Sequence, residues 1–412
     1  MLTLGIDFGT SGARAVAITA TGEVVAEARS GYTVAQAQVW QEALEHLLEQ
    51  LSGEVRSQVQ RIAINGTSST VLLCDHAGTP IADPLLYNDK RGQTTLKQIK
   101  TLAPPNHVVH SATSSLAKLL WWTTQPEFKQ AVYFLHQADW LGFLLHGQLG
   151  ISDYHNALKL GYDVDHLTYP DWLESLPQRS LLPQVRPPGS PVSNIQPDLA
   201  QRWQFPPHCL IYTGTTDSIA AFLASGATQP GEAVTSLGST LVLKLLSRTK
   251  VEDSQAGVYS HRLGNLWLTG GASNTGGAVL QHFFNDSQLQ SLSAKIDPTQ
   301  RSPLEYYPLL ETGDRFPIND PNLSPQLDPQ PDNPVEFLHG LLESIARIET
   351  QGYEKLQTLG ADALQRVYTA GGGAKNPQWT KIRQRRLQVP VVPSAHTEAA
   401  YGTARLAQGM IR

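Results

Sequence analysis

A chain of 412 residues with 41% hydrophobic and 16% charged residues has the make-up of a globular protein, and its length suits two domains of roughly 200 residues each better than one core. A formal charge of −5 with no Lys/Arg block lacks the electrostatic footprint of a nucleic-acid binder, and no stretch approaches the roughly 18 apolar residues of a membrane helix. Two cysteines, Cys74 and Cys209, and thirteen scattered histidines without metal-ligand spacing argue against a disulfide scaffold and against a dedicated zinc site.

The amino terminus, MLTLGIDFG, enters a strand-like apolar run without the pattern of a secretion signal, so a cytoplasmic protein is expected. Residues 2 to 30 read as a strand, a Gly-rich turn DFGTSG, a second strand ARAVAITA, a turn at Thr21 and Gly22, and a third strand EVVAEAR, which together form an antiparallel meander. Helical spacing follows at Val39, Ala43, Leu44, Leu47, Leu48 and Leu51, and residues 61 to 74 return to a strand pattern broken by NGTSST. The class is therefore α/β. From Pro177 to Pro207 the chain is rich in Pro and polar residues, which disfavours long elements and suggests a connection between halves. The expected division is 1–205 and 206–412. Past it, AVTSLGSTLVLKLL repeats the strand-turn-strand grammar of the amino terminus, as a duplicated domain would. Pro-rich residues 298 to 334 are read as a long ordered loop. An amphipathic helix is expected over 335 to 359, with Phe337, Leu341, Ile345 and Ile348 on one face and Gly360 as its terminator.

Four segments carry chemistry. In GIDFGTSG, backbone N–H groups of a Gly-flanked turn can line a phosphate, and Asp7 beside it can hold Mg²⁺ through water; a purely structural turn reads equally well. The turn of Gly238, Ser239 and Thr240 offers similar donors. In YTGTTDSIAAF, Asp217 stands where a helix begins; it is a candidate general base for a substrate hydroxyl, with a helix-capping Asp as the alternative. In TAGGGAKNPQW, three glycines leave room for a flat base against the backbone, and Asn376 and Trp379 could bond and stack on adenine. A capped helix start explains Asn376 and Pro377 as well.

In this order these segments resemble the FGGY family of carbohydrate kinases, whose members include xylulokinase, ribulokinase and glycerol kinase. The resemblance is carried over nearly the whole chain by LGIDFGTSGARA, YNDKR (87–91), SSLAKLLWW (114–122), SDYHNA (152–157), TGTTDS (213–218), SLGST (236–240), GGASNTGG (270–277), GDRFP (313–317), AGGGAKNPQW (370–379) and EAAYGTARLA (398–407). It implies two actin-like, ribonuclease H-like domains with a central cleft, ATP and Mg²⁺ as cofactors, and phosphoryl transfer to a small sugar. It implies Asp217 as catalytic base and Asp7 as the acidic residue near the metal and the reacting phosphate. Gly238, Ser239 and Thr240, with Thr10 and Ser11, fall to the phosphates, and Gly372, Gly373, Asn376 and Trp379 to the nucleotide. Ser11, Gly12, Arg14, Ser68 and Ser69 fall beside the sugar, together with Asp7 and Asp217.

Two departures from the family pattern bear on the acceptor. The chain is shorter than a typical member, so trimmed oligomer contacts and a monomer or weak homodimer are expected. Where many xylulokinases show Gln-His, this sequence has Ser68 and Ser69, and the short members with such a run resemble D-ribulose kinases. The implied reaction is thus D-ribulose to D-ribulose 5-phosphate, with D-xylulose or another pentulose or polyol as the alternative. A non-catalytic sugar- or ATP-binding regulator and an acetate-kinase-like enzyme are weaker readings, since the first has no use for both carboxylates and the second would lack YNDKR and SDYHNA.

Overall fold

The computed structural model describes residues 1–410. It divides into two compact units, Met1–Ala224 with Glu398–Arg412, and Ser225–Thr397. No helix among the described residues is long and apolar enough to cross a membrane.

The first unit is built on a six-stranded sheet. Strands β1 (Leu2–Phe8), β2 (Gly12–Thr19) and β3 (Val24–Gly31) form the expected antiparallel meander, and β4 (Val59–Gly66) runs parallel to β1. After two short pairs, β5 (Val71–Cys74) with β6 (Tyr133–His136) and β7 (Ile151–Asp153) with β8 (Gln184–Arg186), the chain adds β9 (Pro191–Asn194) and β10 (Leu210–Thr216). The sheet order is β3-β2-β1-β4-β10-β9. Leu4, Ile6, Phe8, Ile62 and Ile64 are buried on the strands, and Trp40, Leu44, Leu47 and Leu48 of the helix Ala37–Gln50 cover them. Six of the seven residues of β1 are buried, the pattern of a central strand covered on both faces.

The second unit repeats the plan. Strands β11 (Glu232–Leu237), β12 (Leu241–Ser247), β13 (Tyr259–Leu263), β14 (Leu266–Ser273), β15 (Arg366–Ala370) and β16 (Val391–Pro393) are ordered β13-β14-β12-β11-β15-β16. Setting aside one edge strand in each sheet, both units order their strands third, second, first, fourth, fifth, with the last two parallel to the first. The duplication inferred from two similar hairpins is thus present at the level of whole sheets. The helix Pro334–Thr358 buries Leu338, Leu341, Leu342, Ile345 and Ile348 against this sheet, and Gly360 adopts φ +108° just beyond its end. Residues 298 to 334 run as an ordered loop pinned by isolated bridges such as Tyr307 to Gln326.

The boundary expected near residue 205 lies elsewhere. The Pro-rich stretch contributes β9, which pairs antiparallel with β10, so it belongs inside the first sheet. Pro191 opens that edge strand, where a missing N–H costs no ladder bond. The chain passes to the second unit only after Ala224 and returns at Glu398. The returning helix Ala399–Ala407 belongs to the first unit because its small residues admit close backbone approach. A Cβ on Gly5 would lie 2.0 Å from the Ala400 carbonyl oxygen, and one on Gly402 would lie 1.8 Å from that of Ala220.

Candidate active site

In the first unit the register of three neighbouring strands brings the chemistry to one end of the sheet. Asp7 on β1 lies opposite Arg14 on β2 and Asn65 on β4, and Asn65 lies opposite Thr215 on β10. Asp217 follows directly as the first residue of the helix Asp217–Ala224. Asp7 and Asp217 are therefore two strands apart, about 10 Å at the backbone, at the carboxyl ends of parallel strands where open α/β sheets bind ligands. Asp217, read from sequence as a residue of the second half, belongs with Asp7 in the first unit because β10 completes its sheet. Gly214 allows this: a Cβ there would sit 1.8 Å from the Ile64 carbonyl oxygen of β4.

Burial raises the Asp7 carboxyl from 3.8 to about 7, the charge of Asp217 pushes the same way, and Arg14 and the Asn65 amide oppose them. Asp7 Oδ1 is buried without a hydrogen-bond partner. Asn65 is itself fully buried, donating 2.6 Å to Thr403 Oγ1 on the returning helix. Arg14 pairs with Glu398 at the start of that helix. Neither Asn65 nor Glu398 was marked by sequence. Asn65 stands in a strand pattern, and Glu398 is 384 residues from its partner.

The turn after β1 is fixed by Tyr32, whose hydroxyl donates 2.5 Å to the Gly9 carbonyl and whose amide donates to Ser11. Thr10 and Ser11 are exposed at its tip, and Gly12 is close-packed, since a Cβ there would lie 2.9 Å from the Ser30 oxygen. Ser68 is half-buried, whereas Ser69 is 1% exposed, adopts φ +64° and leaves its hydroxyl without a partner. Thr67 of the same turn is anchored through its amide and hydroxyl to Gln137 Oε1, at 3.0 and 3.1 Å.

Behind the strand ends lies a buried polar layer from SDYHNA and its neighbours. Asp153 accepts from the amides of His155 and Asn156 and from the Asn156 side chain, while complete burial and the charge of Asp139 raise it to about 7. His155 Nδ1 lies 2.7 Å from Thr215 Oγ1, which ties this layer to β10 two residues before Asp217. Ser115, His136 and Asp139 have the connectivity of a nucleophile triad, at 3.2 and 2.8 Å. Ser115 and His136 are 0% exposed, so no substrate reaches them, and they serve as packing.

In the second unit the strand ends of β11 and β15 carry the turn Gly238, Ser239, Thr240 and the run Gly371, Gly372, Gly373. Gly371 has φ +84° and approaches Leu237 so closely that a Cβ would lie 2.6 Å from its oxygen. Gly277, the last residue of the GGASNTGG segment, and Ala278 after it donate to the carbonyls of Gly238 and Ser239 at 2.8 and 3.1 Å. A Cβ on Gly372 would meet nothing within 4 Å. Exposed backbone of this kind fits a phosphate chain and a flat base.

Two nucleotide residues read from sequence have other work. Trp379 is 1% exposed, donates from its indole N–H to the Leu342 carbonyl, and lies under Gly373, whose Cβ would come within 2.7 Å of the ring. It is a core prop beneath the glycine run and offers no face to a base. Asn376 caps the helix Pro377–Leu387 by accepting from the Trp379 amide at 3.0 Å, and it donates to Ser293. Its polar atoms are engaged in the fold, the alternative that its sequence setting allowed.

No group of three His, Cys, Asp or Glu side chains that could hold a metal occurs among the described residues. A hard cation held by one carboxylate and the substrate's own phosphates needs no such group, and the unpartnered oxygen of Asp7 is the atom that fits it.

Two duplicated sheets, each ending in a Gly-rich turn, make the actin-like plan, and the comparisons give the family that uses it here. Models of the N-terminal and C-terminal domains of the FGGY family of carbohydrate kinases match residues 2–224 and 233–409, so the chain belongs to that family. The xylulose kinase of Bacillus subtilis is 25% identical over 443 residues, 98% of this chain and 87% of that protein. The xylulose kinase of Escherichia coli is 24% identical, covering 98% and 89%. Among solved structures, xylulose kinase from Rhodospirillum rubrum superposes with a TM-score of 0.85 at 20% identity, over 99% of this chain and 90% of that one. Plasmodium falciparum glycerol kinase with ADP gives 0.81 at 16%, over 99% and 89%. The chain is a carbohydrate kinase of this family.

Proposed function

We propose that the protein transfers the γ-phosphoryl group of MgATP to the terminal hydroxyl of a ketopentose, D-ribulose giving D-ribulose 5-phosphate. The observation that carries the reading is the placement of Asp7 and Asp217 at one end of the sheet, close enough for the charge of Asp217 to raise the Asp7 carboxyl. Two carboxylates set two strands apart have different tasks. Asp217, half-buried at a helix start, accepts the proton of the acceptor hydroxyl as it attacks. Asp7, through its unpartnered Oδ1, would hold the metal ion, and Mg²⁺ with the triphosphate would supply charge neutralisation and the leaving group. Thr10 and Ser11, and the backbone of Gly238–Thr240, line phosphate oxygens, while Gly371–Gly373 give the base an open surface. Arg14, held by Glu398, together with Gly12 and Ser68, orients the sugar; Ser69, expected beside it, is buried and acts by shaping the turn that presents Ser68.

D-ribulose is preferred because Ser68 and Ser69 stand where many xylulokinases carry Gln-His. Names of the relatives favour D-xylulose, the competing reading. An ADP-release assay over D-ribulose, D-xylulose, L-ribulose, pentitols and glycerol decides between them: the highest kcat/KM is expected with D-ribulose, and a tenfold preference for D-xylulose would reverse the assignment. Asp217→Ala is expected to lose about 10²-fold or more in sugar phosphorylation; near-normal turnover would remove Asp217 from the mechanism.

A further inference from the structure

Lys118 is buried and appears nowhere in the mechanism above. It stands on the helix Ser115–Trp122, is 0% exposed, and points its ammonium at two backbone carbonyls, Ser69 at 2.7 Å and Leu86 at 2.6 Å. Burying a charged amine is costly unless its donors are satisfied, and here the acceptors are two carbonyls from separate turns. One turn is Thr67–Thr70, where Ser69 holds a left-handed φ of +64° that a side-chain-bearing residue rarely adopts without support. The other is Leu86–Asp89, whose closing bond runs from the Asp89 amide to the same Leu86 carbonyl at 2.9 Å. That second turn presents exposed Tyr87 and the Asp89 carboxylate, which pairs with Arg91 at 2.7 Å while Arg91 stacks over Trp121 at 4.8 Å.

One ammonium therefore staples the turn that carries Ser68 and Ser69 to the Leu86–Asp89 turn. Gln137 holds the Thr67 end of the first turn, so Lys118 supplies the tie at Ser69. Burial lowers the lysine to about 7, opposed by Asp89 and assisted by Lys159 and Arg91. A neutral amine keeps two N–H donors, so both carbonyl bonds are available on either side of that value.

We propose that Lys118 is a positioning residue for the acceptor, setting sugar affinity and discrimination between ketopentose epimers by fixing the Ser69 turn against the Leu86–Asp89 turn. The proposal rests on the reading of Ser68 as an acceptor contact on the turn that Ser69 shapes. Its test is Lys118→Met in the full chain, with steady-state kinetics on D-ribulose and D-xylulose and backbone hydrogen exchange. The expected result is a KM for the sugar raised at least tenfold, a D-ribulose to D-xylulose ratio of kcat/KM moved toward unity, and a KM for ATP within twofold of wild type. Exchange should quicken at Thr70 and Asp89 and not at the Gly9–Gly12 turn. If Lys118→Met does not fold, Lys118→Gln, whose amide nitrogen falls one bond short of the ammonium and cannot span both carbonyls, carries the same measurement. An unchanged sugar KM in a folded variant would overturn the proposal, as would equal losses for sugar and ATP. If the wild type proves to use another alcohol, the D-ribulose reading fails alone, because the split between acceptor KM and ATP KM is then read on that alcohol.

Discussion

Replacing Asp7 by Asn separates the cost of the site from its use. In the chain without ligands, burial first and the Asp217 charge second raise Asp7 from 3.8 to about 7, and at about 1.36 kcal/mol per unit the ionised form costs on the order of 4 kcal/mol. Arg14 can relax toward the carboxylate and water can enter at its exposed fraction, so about half of that, ~2 kcal/mol, is the working figure. The sign follows from the direction of the shift. Because the folded value lies above the unfolded one, the folded state holds its proton longer, and the wild type loses stability as pH rises from about 4 to about 7. Asn does not titrate there, and its amide can donate to Asn65 Oδ1, which has no partner in the wild type. Asp7→Asn should therefore match the wild type near pH 4 and melt higher above pH 7, by roughly 4–8 °C for a unit of this size. Calorimetry from pH 4 to 8.5 without nucleotide or Mg²⁺ measures it, and sugar phosphorylation should be lost in the same variant. A melting difference independent of pH, or a variant less stable than wild type at pH 8, would refute the account of Asp7 as a desolvated carboxylate kept for function.

Two variants probe the second unit. Trp379→Phe removes a bond to Leu342 and leaves a gap under Gly373; a loss of about 1–3 kcal/mol in denaturant melts is expected, with the KM for ATP nearly unchanged. Lost ATP affinity at wild-type stability would restore a stacking role. Arg383→Met strands Glu349, since the two are 1% exposed and joined by a bidentate pair at 2.6 and 2.7 Å; about 3–5 kcal/mol should be lost. Arg383→Met with Glu349→Leu should recover most of it, and a double variant as unstable as the single one would contradict the argument.

Much of this was legible because it is local. Alternating apolar residues around DFGTSG and SLGST mark hairpins, and Asp7 and Asp217 stand beside turns, where each also admitted a structural reading. The order of Pro and Gly failed at the unit boundary, since a Pro-rich stretch that reads as a linker folds as an edge strand once β10 is beside it. Long-range partners left no trace either. Asn65 finds Thr403 338 residues away, and Lys118 looks like one polar residue in an apolar helix until Ser69 and Leu86 are folded over it. Trp379 misled for a local reason: its amide is the one that the Asn376 cap binds, and from that position its ring turns inward beneath the glycines.

The two sheets also show how one plan was given two tasks. Aligning the first strands by their turns places Ser236 where the first unit has Asp7. By register, the residues opposite Asp7 are Arg14 and Asn65, whereas those opposite Ser236 are Val242 and Ala370. A carboxylate, a guanidinium and an amide are thus replaced by a hydroxyl, an isopropyl group and a methyl. Ionisable groups at the first set of strand ends suit proton and metal chemistry. A neutral set whose available polar groups are backbone N–H donors suits a polyanion, because it adds no fixed negative charge to repel phosphate and no side chain to crowd it. These three substitutions support the proposed assignment of the acceptor to the first unit and the nucleotide to the second.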